Sequence, residues 1–349
     1  MRPVLLAPNR LRRFYRGGAA IAELRAIPDD EEYAPEDWVG STTAAFGSEV
    51  EGLTTLPNGT LLRDEIAADP KGWLGPEHAE AHGADPALLV KLLHAGERLP
   101  VHCHPDDAFA AAELHRACGK TEAWVIVEVA TDAPGEVFLG FREEVAEATL
   151  AGWVERQEAE CLLDALNRVP VQVGDALLVP AGVPHAIGAG ILLVELQQPT
   201  DLSVLLEWKG FAVDGEAVGH LGLGFERALG CVDRSAWEGA RLARTWTAGQ
   251  SVDGDPSVDR LLPAAADRFF RADRIRPRGV AVGLEPAFSI LVVTEGAGRL
   301  EIAADPDGAL RLIKGDTVLV PHGAGATRLS GPLDVVRCLP PRPAVPDGS

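Results

Sequence analysis

The chain has 349 residues, of which 46% are hydrophobic and 24% charged, so it is an ordinary globular chain long enough for two domains. Its formal net charge of −20 argues against a nucleic-acid partner and against an anionic membrane surface, because both are negatively charged. A small anionic substrate is still compatible with this charge, since a metal ion and one or two basic residues create a local positive pocket.

The cysteines and the N-terminus predict a cytoplasmic protein. The five cysteines are an odd number and show no C-x-x-C spacing, which indicates free thiols in a reducing compartment. The basic N-terminus, MRPVLLAPNRLRRFYRGG, has an apolar run too short for a signal peptide, and no apolar run approaches the length of a membrane span. We expect a monomer or a homodimer in the cytoplasm.

The first hundred residues mix short strands with helical turns. PEDWVGSTTAAFG predicts a strand that carries Trp38, and Asn58-Gly59 marks a turn followed by helical spacing. The apolar stretch 87–101, ALLVKLLHAGERLPV, then leads directly into GERLPVHCHP. No motif that indicates a chemical function is evident before this stretch.

Two histidines stand two positions apart at the end of this stretch. Because side chains alternate faces along a β-strand, His102 and His104 point the same way and Cys103 points to the opposite face. Two neutral imidazoles on one face can chelate a metal ion. Cys103 is therefore expected in the core, and the H-x-H pair alone also permits a strand without a metal.

A helix is expected next, since Asp106 and Asp107 can cap the Ala-rich run that Gly119 ends. Beyond the β-rich stretch 122–141, the segment 142–166 has helical periodicity and good helix formers. It predicts a helical insertion whose charges form a solvated face.

Two half-motifs, G-x5-H-x-H and G-x5-P-x-G-x2-H, occur in the order found in cupin barrels. Glu122 opens the strand after the first half-motif and offers a hard oxygen ligand. We therefore predict a divalent-metal site of three histidines and one carboxylate. The residues of the two half-motifs are Gly96, His102, His104, Gly174, Pro180, Gly182 and His185.

The strand ILLVELQQ places Glu195 and Gln197 on one face by alternation. A carboxylate in an apolar strand is unusual, because burying it without a partner is costly. Glu195 is expected to face a cavity; the alternative is a carboxylate at the barrel mouth that is hydrogen-bonded to backbone.

The last hundred residues repeat the β pattern after a connector at 236–262. The spacing Gly315-x5-Pro321-x-Gly323 echoes the second half-motif, but the H-x-H pair and the following histidine are missing. The expected fold is mainly β, with two cupin (jelly-roll type) barrels and a small helical insertion. The predicted divisions are a metal-binding barrel over 1–235, a metal-free barrel over 236–340 and a disordered tail over 341–349.

Four stretches together resemble the class I mannose-6-phosphate isomerases, a family of zinc-dependent cupins with a catalytic barrel, a helical insertion and a second barrel. The resemblance covers about the first 230 residues well and the last hundred in architecture. The stretches are HPDD (104–107), GKTEAW (119–124), VPAGVPHAIG (179–188) and ELQQPTD (195–201).

The resemblance implies one zinc ion in the first barrel. The family's ligands are Gln, His, Glu and His, which fall by motif on His102, His104, Glu122 and His185. His102 departs from the family's glutamine but keeps a neutral ligand, and imidazole favours zinc.

The implied reaction interconverts mannose 6-phosphate and fructose 6-phosphate through a cis-enediol(ate). For the base that moves the proton, Glu195 is the main candidate, with Lys120 and Asp201 as others. Lys120 and Gln197 are expected to contact the substrate. Lys120 is the best candidate for the positive charge that holds the phosphate, because it lies two residues before Glu122.

Leu205 stands where the family has an active-site arginine, ten residues after Glu195. Lys209, Arg142 or Lys120 could supply the missing charge. This departure keeps two alternatives open: an isomerase of another or unphosphorylated sugar, and a non-catalytic sugar-phosphate sensor. A third alternative is a metal cupin oxygenase, since three histidines and one glutamate also suit iron or manganese.

Overall fold

A computed structural model describes residues 1–29, 31–246, 250–252, 255–303 and 305–342. These residues are organised mainly as short antiparallel β-strands. In the first two thirds of the chain the strands are β1 (Val4–Leu5), β2 (Arg10–Leu11), β3 (Glu36–Val39), β4 (Leu89–Ala95), β5 (His102–Cys103), β6 (Glu122–Val129), β7 (Glu136–Phe141), β8 (Leu166–Pro170), β9 (Ala176–Val179), β10 (His185–Ile187), β11 (Ile191–Gln197) and β12 (Val204–Leu205). The last third contains β13 (Gln250–Val252), β14 (Asp255–Arg260), β15 (Arg271–Ile275), β16 (Val282–Leu284), β17 (Ser289–Ile302), β18 (Asp305–Ile313), β19 (Thr317–Val320), β20 (Thr327–Ser330) and β21 (Leu333–Leu339).

The α-helices of the described residues are short and lie before β13. None of those described reaches the length and apolar character that a membrane span requires. They are α1 (Ala19–Arg25), α2 (Leu62–Ala68), α3 (Pro70–Leu74), α4 (Pro76–His82), α5 (Asp107–Leu114), α6 (Glu147–Arg156), α7 (Ala159–Ala165), α8 (Gly215–Val218), α9 (Phe225–Ala228) and α10 (Gly239–Ala243).

The first barrel is built from two sheets. A six-stranded sheet runs in the order β2-β3-β4-β11-β6-β9, and a five-stranded sheet runs β12-β5-β10-β7-β8. Apolar residues of both sheets, such as Leu93, Trp124, Leu139 and Ile187, pack in one cluster. Lys91 and Glu195 lie on the same sheet face as Leu93, because residues two apart in a strand share a face and Glu195 is paired with Lys91. The inner face of this sheet therefore carries polar residues beside the apolar cluster.

The second barrel is a ten-stranded arrangement that takes one strand from the N-terminus. Strand β1 pairs with β19, with Val4 opposite Leu319. One apolar cluster also runs through both parts of the molecule, since it joins Ile21 and Leu92 with Phe270 and Ile290. The two barrels therefore share a core.

The expected fold class is confirmed: the chain is mainly β, with two cupin-type barrels. Helices α6 and α7 lie between β7 and β8, inside the predicted insertion 142–166. The domain limits near residues 235 and 340 stay predictions, and β1 shows that the N-terminus contributes to both barrels. The predicted tail lies outside the described residues from 343 onward.

Candidate metal centre and catalytic cavity

Three histidines from β5, the following loop and β10 converge in the first barrel. His185 lies opposite His102 in the β10–β5 pair, and His104 follows two residues later. The ligand nitrogens of the three side chains all lie within 4.8 Å of one another, close enough to hold one metal ion. The strand register therefore brings together the histidines that the two half-motifs contributed.

Hydrogen bonds fix the same tautomer in each of these histidines. The Nδ1 atoms of His102, His104 and His185 contact the carbonyl oxygens of Pro100, Leu202 and Val183 at 2.8, 2.7 and 2.8 Å. A carbonyl oxygen only accepts, so Nδ1 carries the proton and Nε2 keeps its lone pair. This is the arrangement in which a histidine binds a metal ion through Nε2.

His102 and His104 are also held in the neutral form that a metal ion requires. Burial, followed by the neighbouring His185 and His104, lowers the pKa of His102 well below its usual value. Burial and the nearby Lys120 ammonium lower the pKa of His104 to about 3. Neutral imidazoles remain available as ligands across the physiological pH range.

Glu122 completes the cluster at the start of β6. Its Oε2 lies 3.1 Å from Nε2 of His104, and its Oε1 lies 3.2 Å from Nε2 of His185. In the described structure, the buried Nε2 of His185 has no hydrogen-bond partner. A lone pair that faces a carboxylate oxygen at this distance is favourable only with a cation between them, so the residues fit a divalent metal ion.

Lys120 and Glu195 lie directly beside this cluster. Lys120 Nζ is 2.6 Å from Glu122 Oε2, 2.9 Å from His104 Nε2 and 3.2 Å from Glu195 Oε1. Burial, opposed by Lys120, raises the pKa of Glu195 to about 7. A carboxyl group with this pKa can both take up and release a proton near neutral pH.

Lys91 is a cavity residue that the sequence analysis did not single out. It lies opposite Glu195 in the β4–β11 pair, and its Nζ is 3.8 Å from Glu195 and 3.4 Å from Glu36. The Nζ atom also lies 4.9 Å from the centre of the Trp38 ring. A lysine within the apolar run LLVKLL was the available signal, of the same kind as Glu195 in ILLVELQQ.

Arg13, in the segment before α1, was also missed. It bonds Glu36 at 3.0 Å and Asp201 at 3.0 and 3.2 Å. Asp201 accepts a further hydrogen bond from the backbone N–H of Phe46. No sequence spacing joins residues 13 and 201, so only the folded chain reveals this pair. Asp201 therefore lies at the cavity wall, where it is bound to the guanidinium of Arg13.

The cavity has a volume of about 380 Å³, and its wall includes His102 and Leu205. Leu205 lies opposite His102 in the β12–β5 pair and is almost fully buried. Among the described residues of the wall, the cations are Arg13, Lys91 and Lys120. Two of the cations considered for the missing arginine, Lys209 and Arg142, do not belong to this wall.

Gln197 does not belong to the cavity wall either. It is fully buried at the end of β11, and its amide donates to the carbonyl oxygens of Gln198 and Thr200 at 3.1 and 2.5 Å. These contacts stabilise the turn after the strand. The expected contact between Gln197 and a substrate stays a prediction; the buried Oε1 of this side chain has no hydrogen-bond partner in the described structure.

Fold and site define a two-barrel cupin protein whose first barrel surrounds a metal-type cluster and a charged cavity. No protein-family model matches the chain. Over 94% of its length it is 28% identical to a mannose-6-phosphate isomerase of Bacillus subtilis (strain 168), covering 96% of that protein. It is also 26% identical, over 84% of its length and 86% of the relative, to a mannose-6-phosphate isomerase of Streptococcus mutans.

Solved structures share this fold. The mannose 6-phosphate isomerase from Bacillus subtilis superposes with a TM-score of 0.76 at 22% identity, covering 97% of this chain and 99% of the other. A mannose 6-phosphate isomerase bound with zinc and yttrium gives 0.72 at 16% identity, covering 98% and 100%. The resemblance to mannose-6-phosphate isomerases is thus confirmed over nearly the whole chain.

Proposed function

We propose that this protein is a zinc-dependent aldose–ketose isomerase that interconverts mannose 6-phosphate and fructose 6-phosphate. One observation carries the proposal: a buried cluster of three histidines and Glu122 lies directly beside Lys120 and Glu195 in one cavity. Metal ligands, a cation and a carboxylate with a pKa near neutrality are the groups that this chemistry needs. The similarity to isomerases along the chain supports the same reaction.

The cavity residues have two separate roles, metal binding and proton transfer. His102, His104, His185 and Glu122 hold zinc, which when bound polarises the carbonyl and hydroxyl oxygens of the sugar. Glu195 moves a proton between C2 and C1 through a cis-enediol(ate).

Lys120 and Lys91 lie on either side of the Glu195 carboxylate. Lys120 keeps its proton, because Glu122 and Glu195 raise its pKa although burial opposes the charge. It therefore acts as a hydrogen-bond donor to the substrate oxygens and stabilises negative charge that develops there.

We further propose that the partner is a small sugar phosphate and that the protein acts in the cytoplasm as a monomer or a homodimer. All five cysteines are free. Free thiols support a reducing compartment.

Glu195→Gln tests the proton-transfer role. The variant should retain zinc and lose about 10²- to 10⁴-fold in turnover, because the amide cannot take up the proton. The reaction can be followed by proton NMR of mannose 6-phosphate, which detects fructose 6-phosphate without coupling enzymes. Turnover at the wild-type rate would remove Glu195 from this role.

A second candidate is an isomerase of an unphosphorylated sugar. A separate observation supports this candidate. Each cation of the described cavity wall already contacts a carboxylate, and Leu205 adds apolar surface to the wall. The ratio of kcat/KM for mannose 6-phosphate to that for mannose separates the two candidates. A ratio above one supports the phosphosugar, and a ratio below one supports the neutral sugar.

A further inference from the structure

The charged residues of the cavity form a continuous series of alternating sign. It begins at Glu122 and passes through Lys120, Glu195 and Lys91, with successive distances of 2.6, 3.2 and 3.8 Å. It continues from Lys91 to Glu36 at 3.4 Å, then to Arg13 and Asp201 at 3.0 Å each. The metal cluster lies at one end of the series, and the Arg13–Asp201 pair lies at the other.

Arg13 is the most accessible of these cations. Its side chain is 17% exposed, whereas those of Lys91 and Lys120 are 3% and 7% exposed. Its guanidinium lies 5.3 Å from the centre of the Trp38 ring. Its buried Nε has no hydrogen-bond partner in the part of the chain that the structure describes. Arg13 is therefore positioned by its neighbours and still has a donor unused.

Asp201 is the exchangeable partner of this arginine. Glu36 is buried and also accepts from Tyr15 and Trp38, so it remains in place when other contacts change. Asp201 is 15% exposed and, besides Arg13, bonds only the Phe46 backbone among the described contacts. An entering anion can replace Asp201 on the guanidinium while Glu36 keeps Arg13 in position.

We propose that Arg13 recognises the phosphate group of the substrate, with Asp201 holding the guanidinium while the cavity is empty. This inference rests on the proposed function. The reacting carbons, C1 and C2, must lie at the metal cluster, and the phosphate on C6 lies at the opposite end of the sugar. A guanidinium binds phosphate in a bidentate manner, which Lys91 and Lys120 cannot do.

Calorimetric titration with mannose 6-phosphate and with mannose tests this assignment on the zinc-loaded protein. Arg13→Gln should weaken binding of mannose 6-phosphate about tenfold or more and leave mannose within about twofold. Arg12→Gln is the matched control, because Arg12 is exposed and pairs with Glu31. Zinc content should equal that of the wild type in both variants.

Asp201→Asn tests the same idea without removing the arginine. It should tighten mannose 6-phosphate binding severalfold, because the competing charge is gone, and leave mannose unchanged. The assignment is overturned if the wild-type protein does not prefer the phosphosugar, or if Arg13→Gln weakens both sugars equally. Binding without turnover would reject the isomerase and retain Arg13 as the phosphate-recognition residue.

Discussion

The fixed Nδ1 proton on each clustered histidine determines what the site can bind. Because three backbone carbonyls take the Nδ1 protons, three Nε2 lone pairs converge on one point beside Glu122. A metal ion compensates the repulsion between these acceptors. The backbone carbonyls therefore orient the three histidines for a metal ion.

Removal of one of these imidazoles should abolish metal binding. His185→Ala leaves a buried space where a ligand stood, so the purified variant should contain almost no zinc after dialysis, as measured by plasma mass spectrometry. His82→Ala, an exposed histidine at the end of α4, is the control and should keep full zinc. Full zinc in His185→Ala would contradict the assignment.

Glu36 shows how the same charges affect stability. Although burial opposes its charge, Arg13 and Lys91 lower the pKa of Glu36 below the usual 4.5. A carboxylate with a lowered pKa stabilises the folded state above its unfolded pKa, and this contribution is lost as the pH falls toward the folded value. Glu36 therefore stabilises the fold at neutral pH and progressively less below about 4.5.

Glu36→Gln should lower the free energy of unfolding by about 1.5–3 kcal/mol at neutral pH, because Arg13 and Lys91 each lose one of two carboxylate partners. The difference from the wild type should shrink as the pH falls below 4.5. Urea unfolding at a series of pH values measures both effects. A difference that stays constant with pH would show that Glu36 does not titrate in this way.

The residues of the candidate centre differ in how far the sequence predicts them. His102, His104 and Glu195 follow from strand alternation, which is a local property. Lys91 has a local signal of the same kind as Glu195, a charge within an apolar run, although only the strand register places the two opposite each other. Arg13 reaches the cavity through a long-range contact that has no local signal. Gln197 has the expected alternation, but the turn after β11 takes its amide.

Among the elements, α5 shows where local rules hold and where they fail. Asp106 caps the helix as predicted, since its side chain accepts from the N–H of Phe109. The helix ends at Leu114 rather than at Gly119, because His115 adopts the left-handed conformation with φ 53°. Gly119 lies beyond this ending and donates its backbone N–H to Asp107 Oδ1, a contact that the helical pattern does not predict.

Loss of the α5 cap should cost little. Asp106→Ala removes the acceptor for the Phe109 N–H and should lower the free energy of unfolding by about 1 kcal/mol. Asp106→Asn keeps an oxygen acceptor and should be close to the wild type. Denaturant unfolding compares the three proteins, and equal stability of all of them would show that the cap does not contribute.

At the level of the whole molecule, the two barrels depend on each other. Strand β1 extends the second barrel, and one apolar cluster contains residues from both. The repeat of glycine and proline spacing predicted two similar barrels, but it could not predict a shared core. We therefore expect the chain to unfold in one cooperative transition.

Phe270→Ala tests this coupling, because Phe270 is fully buried in the shared cluster. It should lower the free energy of unfolding by about 3–5 kcal/mol. All seven tryptophans precede residue 247, and only Trp73 belongs to the shared cluster, so their fluorescence reports mainly on the first barrel. The fluorescence and circular-dichroism transitions should shift together. An unchanged fluorescence transition would show that the barrels unfold separately.

The central claim is that a zinc ion held by the first barrel is required for sugar isomerisation. A coupled assay of fructose 6-phosphate formation from mannose 6-phosphate tests it most directly, before chelation, after chelation and after zinc is returned. We predict turnover that chelation abolishes and zinc restores. Turnover that survives complete removal of the metal, or a fully zinc-loaded protein that forms no fructose 6-phosphate, would contradict the claim.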